Sequence, residues 1–105
     1  MKRNHIDEKL LFVAQNIDLL KIHHQPKKDN RRWGVRQDRF KQGTAWISPV
    51  IKEEQFTVEL TGDFNLFSYR LKSISLRQGQ NQGRVVYYFN IEQAEEVLVL
   101  LSAQS

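Results

Sequence analysis

The spacing of apolar residues changes from helical to alternating early in this chain, and this change limits the fold more than any other feature of the sequence. Near the start, apolar residues recur every three or four positions, which is the spacing of one face of an α-helix. These residues are Ile6, Leu10, Val13, Ile17 and Leu20. From Arg32 onward apolar and polar residues alternate, which is typical of strands with one buried face. The sequence therefore predicts a helix over about 6–20 and a sheet after it.

Three later segments carry most of the strand signal. AWISPVI contains Pro49, which indicates an edge strand or a bulge because proline cannot donate a ladder hydrogen bond. QFTVEL alternates cleanly, with Phe56, Val58 and Leu60 on one face. RVVYYFNI has apolar residues on both faces and is predicted to be a central strand.

The segment NLFSYRLKSISLR, which lies between the last two of these, is also predicted to be a strand. Its expected inward residues are Phe67, Tyr69, Leu71 and, after a switch of parity, Ile74 and Leu76. Such a switch is what a β-bulge produces. Residues 61–63 before the segment are predicted to form a hairpin turn, and the polar residues 78–83 after it a loop.

The chain ends with a second segment of helical spacing, from about Ile91 to Ala103. Asn90 is its predicted cap, with Gln93 three residues later. The face expected to be buried consists of Ala94, Val97, Leu98 and Leu101. Together the elements predict one α+β domain over residues 1–105: a single antiparallel sheet of four or five strands flanked by an N-terminal and a C-terminal helix.

Length and composition fit one small domain. A chain of 105 residues buries roughly 65% of the surface that its unfolded form exposes. The absence of cysteine excludes disulfides, a thiolate nucleophile and a zinc–thiolate site. Apolar runs such as Leu10–Ala14 are far too short to span a bilayer, and no apolar signal-peptide core follows the charged N-terminus. A cytoplasmic protein without a membrane partner is therefore expected.

Positive charge is concentrated between residues 21 and 41. This basic stretch holds eight Lys and Arg residues and only Asp29 and Asp38 as acids, a local charge of +6 in a chain of net charge +4. Because like charges resist burial, the stretch either lies in solvent or meets a polyanion. Pro26 and the KKDN segment after it end any helix, so we expect a basic loop or arm.

One interpretation of the basic stretch is a nucleic-acid-binding arm. Its cations would neutralise phosphates, while Trp33 or Phe40 would stack on a base or a ribose. The residues predicted to make these contacts are Lys27, Lys28, Arg31, Arg32, Trp33, Arg36, Arg39, Phe40 and Lys41. The plainer interpretation is a solvated loop that runs into a strand, with Trp33 and Val35 in the core.

A second basic block, residues 70–84, has four cations and no acid. If the segment around it is a strand, Ser68, Arg70 and Lys72 form a row on its solvent face. Their spacing would be about 7 Å, close to that of phosphates along a nucleic-acid strand. Arg70 and Lys72 are therefore added to the predicted nucleic-acid contacts. The ordinary outward polarity of an antiparallel strand explains the same pattern equally simply.

The sequence contains no pattern that is typical of catalysis or cofactor binding. His23 and His24 are adjacent and point to different faces of a strand, which does not fit a paired general acid and base. No third ligand lies at metal-binding spacing from them. Phosphate-binding, nucleophile-elbow and zinc-protease motifs do not occur. No enzyme activity, cofactor or metal site is therefore predicted.

Two functions remain open from the sequence. The first is a small non-enzymatic nucleic-acid-binding protein that contacts mainly the phosphate backbone, with DNA and RNA not distinguished. The second is a protein-interaction module, such as an inhibitor, an immunity-type protein or a phage or mobile-element accessory protein, that docks the basic arm onto an acidic partner protein. A homodimer is also expected, because RVVYYF is apolar on both faces and one face needs a cover.

Overall fold

A six-stranded antiparallel sheet is the framework of the protein. The computed structural model describes Lys9, Phe12, Val13 and the ranges 21–27, 30–37, 42–50 and 54–102. The strands are β1 (Lys21–Lys27), β2 (Asn30–Arg36), β3 (Ala45–Val50), β4 (Gln55–Leu60), β5 (Arg77–Asn81) and β6 (Arg84–Asn90). Their order across the sheet is β1-β2-β3-β4-β6-β5, and all neighbouring strands are antiparallel.

Two α-helices follow strands of this sheet, and each begins after a 3₁₀ segment. The helix α1 (Ser68–Ile74) follows the 3₁₀ segment Gly62–Phe67, and α2 (Ala94–Leu101) follows Ile91–Gln93. These elements confirm the predicted α+β fold with a single antiparallel sheet. The sheet has six strands instead of the predicted four or five. The additional strands are β1 and β5, which form largely from segments predicted to be loops.

The strand predicted between β4 and β5 is wrong, because most of that segment is helical. Phe64, Phe67 and Leu71 are all fully buried, and their spacings of three and four are those of one helix face. Tyr69, which was expected inward, has 81% of its surface exposed. The predicted bulge is therefore absent, and Gly62 begins the 3₁₀ segment instead of belonging to a hairpin turn.

The predicted N-terminal helix over 6–20 lies almost entirely outside the described residues. Lys9, Phe12 and Val13 are in helical conformation, and Val13 belongs to the hydrophobic core. The helices with defined ends, α1 and α2, both lie after β4 in the chain. No helix was predicted between strands. The predicted arrangement is therefore wrong at α1, which lies between β4 and β5 in the chain.

The C-terminal helix is confirmed, including its predicted cap. The backbone N–H of Asn90 donates to Gln93 Oε1 at 2.9 Å. The side-chain amide of Gln93 donates to the carbonyl of Ile74, also at 2.9 Å. One glutamine therefore stabilises the start of the helical segment and connects it to the end of α1.

The hydrophobic core lies between one face of the sheet and the helices. The sheet contributes Trp33, Val35, Ala45, Ile47, Phe56, Val58, Tyr87 and Phe89. The helical segments contribute Phe64, Phe67, Leu71, Ala94, Val97, Leu98 and Leu101. The predicted burial of α2 against Phe56 and Val58 is confirmed, with Leu60 partly buried against the same cluster.

Pro49 has a ladder neighbour on one side only. The ladder between β2 and β3 ends at the pair Trp33 and Ile47, whereas the ladder between β3 and β4 continues to Val50. A missing backbone N–H is tolerated where a strand has an unpaired edge. β3 is therefore not the edge strand that was predicted, but Pro49 lies where the edge of β3 towards β2 carries no ladder.

We expect Leu98→Ala to lower the free energy of unfolding by about 2–5 kcal/mol, as for other buried leucines. Leu98 is fully buried, whereas its neighbour Val99 is 52% exposed. Val99→Ala is therefore the matched control and should change stability by no more than about 0.5 kcal/mol. Urea unfolding of both variants measures the difference. Equal effects would mean that α2 does not pack on the sheet.

Two backbone segments are in direct contact where the 3₁₀ segment meets the start of β3. The N–H of Asp63 donates to the carbonyl of Gln42 at 2.8 Å, and that of Thr61 to the carbonyl of Thr44 at 3.0 Å. A Cβ atom added to Gly62 would lie 2.6 Å from the Cα of Gly43, closer than real contacts allow. Glycine at position 62 therefore permits the approach of the two segments.

Gly62→Ala is expected to destabilise the protein more than Gly83→Ala. Both glycines have positive φ, 57° and 82°, which costs a non-glycine residue about 1–2 kcal/mol. A Cβ at Gly83 meets nothing within 4 Å, so this variant measures the backbone term alone. The additional loss in Gly62→Ala measures the close approach to Gly43. Thermal unfolding of the two variants compares them, and indistinguishable midpoints would contradict the contact.

Candidate functional site

The second face of the sheet is not covered by any helix of the described part of the chain. The buried residues of α1, α2 and the 3₁₀ segment Gly62–Phe67 all belong to the core on the opposite face. Because side chains alternate along a strand, the residues between the buried ones lie on this second face. We call it the open face, and its residues are Arg32, Gly34, Arg36, Trp46, Ser48, Thr57, Glu59, Arg77, Gly79, Arg84, Val86 and Tyr88.

Two arginine–aromatic pairs are the most distinctive feature of the open face. The guanidinium carbon of Arg32 lies 4.0 Å from the ring centroid of Trp46. That of Arg77 lies 3.7 Å from the ring centroid of Tyr88. Both distances are those of cation–π contacts. Since β4 separates the two ring-bearing strands, the Cα atoms of Trp46 and Tyr88 are two strand spacings apart across the sheet, about 10 Å, and are also offset by two residues along it, about 7 Å.

Each ring lies against a glycine of the neighbouring strand. Gly34 is directly opposite Trp46 in the register, and an added Cβ would lie 3.1 Å from Trp46 Cζ3. An added Cβ on Gly79 would likewise lie 3.1 Å from Tyr88 Cε1. Because neither glycine has a side chain, each ring rests close to the backbone of the next strand. The two aromatic rings are therefore held in place and half-buried on the solvent side.

Polar residues of β4 lie between the two rings. Thr57 is opposite Tyr88 and Glu59 is opposite Trp46 in the register. The carboxylate Oε2 of Glu59 accepts a hydrogen bond from Arg84 Nη1 at 2.9 Å. A depression of about 400 Å³ extends from Trp46 across this strand to Tyr88. The open face thus combines aromatic rings, hydrogen-bonding groups and cations around one shallow cavity.

The charge of the open face is positive. Four arginines on it, Arg32, Arg36, Arg77 and Arg84, stand against the single carboxylate of Glu59, a balance of +3. Arg36 is exposed and Arg84 has 66% of its side-chain surface exposed. Two of the sequence-predicted contact residues, Arg32 and Arg36, belong to this set. The face therefore attracts anions, and among its residues named above Glu59 is the acidic one.

Trp33 is not available for stacking, so that prediction is wrong. It is 1% exposed and lies in the core beside Val35, on the face opposite Arg32. The burial of Trp33 and Val35, which the plainer interpretation of the sequence predicted, is confirmed. The physical reason is the alternation of β2, which sends Trp33 and Arg32 to different faces.

The basic stretch is largely a β-hairpin instead of a loop. The ladder of β1 with β2 continues to the pair Lys27 and Asn30, and Arg31 is opposite Pro26. This end of the hairpin extends three register positions beyond Trp33, where the ladder of β2 with β3 ends. Lys27 and Arg31 are placed here by register. The remaining predicted contacts of this stretch lie outside the described residues: Lys28, Arg39, Phe40 and Lys41.

Arg70 and Lys72 do not join the other cations. Both are exposed on α1, and the buried Leu71 of the same helix packs into the core on the other side of the sheet. The predicted row of Ser68, Arg70 and Lys72 required a strand. In a helix, residues two positions apart point in nearly opposite directions.

Sequence reasoning missed the residues that define the open face: Trp46, Tyr88, Arg77 and Arg84. The position of Trp46 could have been predicted, because its neighbours Ala45 and Ile47 are apolar and only alternate residues of a strand face the core. If Ala45 and Ile47 are buried, Trp46 lies on the other face. Within YYF the same choice arises, since either Tyr88 or the pair Tyr87 and Phe89 faces the core. Arg77 and Arg84 flank a segment predicted as a loop, so no face could be assigned to them.

Metal-binding and membrane-spanning features are not found in the described part of the chain. Within those residues, no three His, Asp or Glu side chains are grouped so that they could hold a metal ion. None of the helices there has the length and apolar character needed to cross a bilayer.

Comparisons with known proteins provide no relative for this chain. Neither protein-family models nor curated proteins nor solved structures gave a match. The chemistry of the open face is therefore the basis for a functional conclusion.

Proposed function

We propose that this protein binds nucleic acid without catalysing a reaction, through the open face and the adjoining β1–β2 hairpin. One observation carries the proposal: two aromatic rings, Trp46 and Tyr88, lie on a sheet face that no helix with defined ends covers within the described residues, each in contact with an arginine. Nucleic acids present phosphates and flat bases together. A face that holds guanidinium groups and aromatic rings side by side offers a partner for each.

The chemistry of arginine supports a polyanionic ligand with aromatic parts. Its planar guanidinium forms paired hydrogen bonds with phosphate oxygens and also stacks on rings. Arg36 and Arg84 lie on the same face as the two stacked arginines, so phosphates along a bound strand would meet several cations. Most protein contacts to nucleic acids are made to phosphate and sugar, and they determine position more than sequence.

The β1–β2 hairpin extends the positive surface at one edge of the sheet. Lys27 lies in the part of the hairpin that has no ladder with β3, at a register position of the open face, whereas Arg31 has the parity of Trp33 and belongs to the opposite face. On the proposed function this hairpin takes the place of the predicted basic arm and contacts the sugar–phosphate backbone. Lys28, between β1 and β2 in the chain, adds a further positive charge to this segment.

Docking onto an acidic protein partner would use the same arginines, and aromatic rings are also common at protein interfaces. The surroundings of the rings separate the two functions. The open face is polar and cationic around the rings, with Glu59 and Thr57 between them. It therefore differs from the apolar patch with a charged rim that is usual for protein partners. Nucleic acid is the better match, and the protein-partner function becomes an outcome of the test.

We expect the affinity for a mixed-sequence oligonucleotide to fall linearly on a plot of log affinity against log salt. The slope should be about −0.7 to −0.9 per phosphate contacted, because binding releases condensed counterions. The double variant Arg32→Ala, Arg36→Ala should reduce the steepness by up to about two contacts. Fluorescence anisotropy with labelled oligonucleotides at a series of salt concentrations measures the slopes.

The matched control for this experiment is the double variant Arg70→Ala, Lys72→Ala. It removes the same charge from an exposed helix on the other side of the sheet, so it should leave the slope unchanged. An equal loss in both variants would mean that only net charge matters. Undetectable binding at low ionic strength would overturn the proposed function and favour the acidic protein partner.

A further inference from the structure

The depression on the open face has room for an unpaired base and a lining suited to one. Its volume is about 400 Å³, and the rings of Trp46 and Tyr88 line it from β3 and β6. Ser48, Thr57 and Asn81 supply hydroxyl and amide groups to the same cavity. Such groups can donate to and accept from the edge of a base, while the rings offer surfaces for its faces.

The carboxylate of Glu59 makes the depression unsuitable for a phosphate. Glu59 lines the cavity, is 14% exposed and is engaged by Arg84 at 2.9 Å. A phosphate placed beside it would meet like charge, whereas a base edge can donate an N–H to a carboxylate. The phosphates of a bound strand are therefore expected at the arginines around the cavity, and the base inside it.

A duplex cannot use the rings in this way. In a double helix the bases stack on one another, and only their edges are accessible in the grooves. Trp46 and Tyr88 are half-buried and held close to Gly34 and Gly79, so they do not project as wedges that could enter a base step. Only a base that has left its stack can reach their faces.

The guanidinium groups of Arg32 and Arg77 lie over the faces of the two rings. Arg32 is only partly buried and Arg77 is exposed, with their guanidinium carbons at 4.0 and 3.7 Å from the ring centroids. A cation–π contact that is open to solvent is weak and readily exchanged. When a base takes the ring face, the guanidinium can turn to the neighbouring phosphate on its long side chain.

We propose that the ligand is single-stranded nucleic acid and that an unpaired base occupies the depression between Trp46 and Tyr88, displacing the arginine from a ring face onto a phosphate. This inference rests on the proposed function and specifies its substrate class. It assigns distinct roles on the same face: the rings bind bases and the arginines bind the backbone.

The test compares one mixed-sequence oligonucleotide, single-stranded and annealed to its complement, at the same salt concentration. We expect the single strand to bind more tightly. Trp46→Ala and Tyr88→Ala should each weaken single-strand binding by about 5- to 150-fold, the range that corresponds to loss of one stacked base. The salt slope should remain nearly unchanged, in contrast to the loss of steepness expected for Arg32→Ala.

Tyr69→Ala is the matched control, because Tyr69 is an exposed aromatic on α1, 81% accessible and on the other side of the sheet. It should bind as the unmodified protein does. Trp46→Phe keeps a ring at the site and should retain most of the affinity, which separates stacking from damage to the fold. Since Trp33 is buried, quenching of tryptophan fluorescence by the single strand should disappear in Trp46→Phe.

The outcomes distinguish this inference from the function on which it rests. If the duplex binds as tightly as the single strand, or if Trp46→Ala and Tyr88→Ala leave binding unchanged, the inference is wrong while nucleic-acid binding stands. If neither oligonucleotide binds at low salt, the proposed function itself is wrong.

Discussion

The burial of alternate residues in the central strands determines which side chains lie on the open face. Trp33, Ile47 and Val58 are buried in the same core cluster as residues of the helices. Because the side-chain period of a strand is two, this burial directs their neighbours Arg32 and Trp46 to solvent. A slip of one residue would exchange the two sets, burying cations and exposing aromatic core residues. The hydrophobic core therefore specifies the open face.

Large aromatic residues on the solvent side of a sheet need support, and this sheet provides it with glycine. Gly34 lies under Trp46 and Gly79 lies close to Tyr88. Glycine weakens a strand because it has no side chain to pack. Here the neighbouring ring covers the exposed backbone and compensates for part of that loss. The same contacts fix the rings in position, so binding would require little ordering of either side chain.

The sequence predicted those elements whose side chains carry a pattern. QFTVEL, RVVYYFNI and the C-terminal helix have clear patterns of apolar residues, and the predicted type of each of these elements agrees with the structure. β5 has no apolar residue, and it is joined to β6 by the backbone ladder and by the stacking of Arg77 on Tyr88. Phe67 and Leu71 are four positions apart, a spacing that fits both a strand and a helix. The burial of Phe64, three residues before Phe67, identifies a helical face in the structure. The sequence alone does not indicate which of these residues will be buried. The open face could not be predicted without the strand order, because that order places β2, β3, β4 and β6 side by side.

The ladder between β2 and β3 ends at the pair Trp33 and Ile47, and the strand edges beyond it affect how two copies of the chain could associate. From Ser48 onward β3 is laddered only with β4, and the end of β2 only with β1. Unpaired strand edges of this kind are templates for unwanted pairing with a second chain. Pro49 removes one donor from the β3 edge, and the positive charge of the hairpin repels an identical hairpin. On the proposed function the same cations would both hold a polyanionic ligand and oppose pairing of two hairpins, and a bound polyanion would neutralise part of that repulsion.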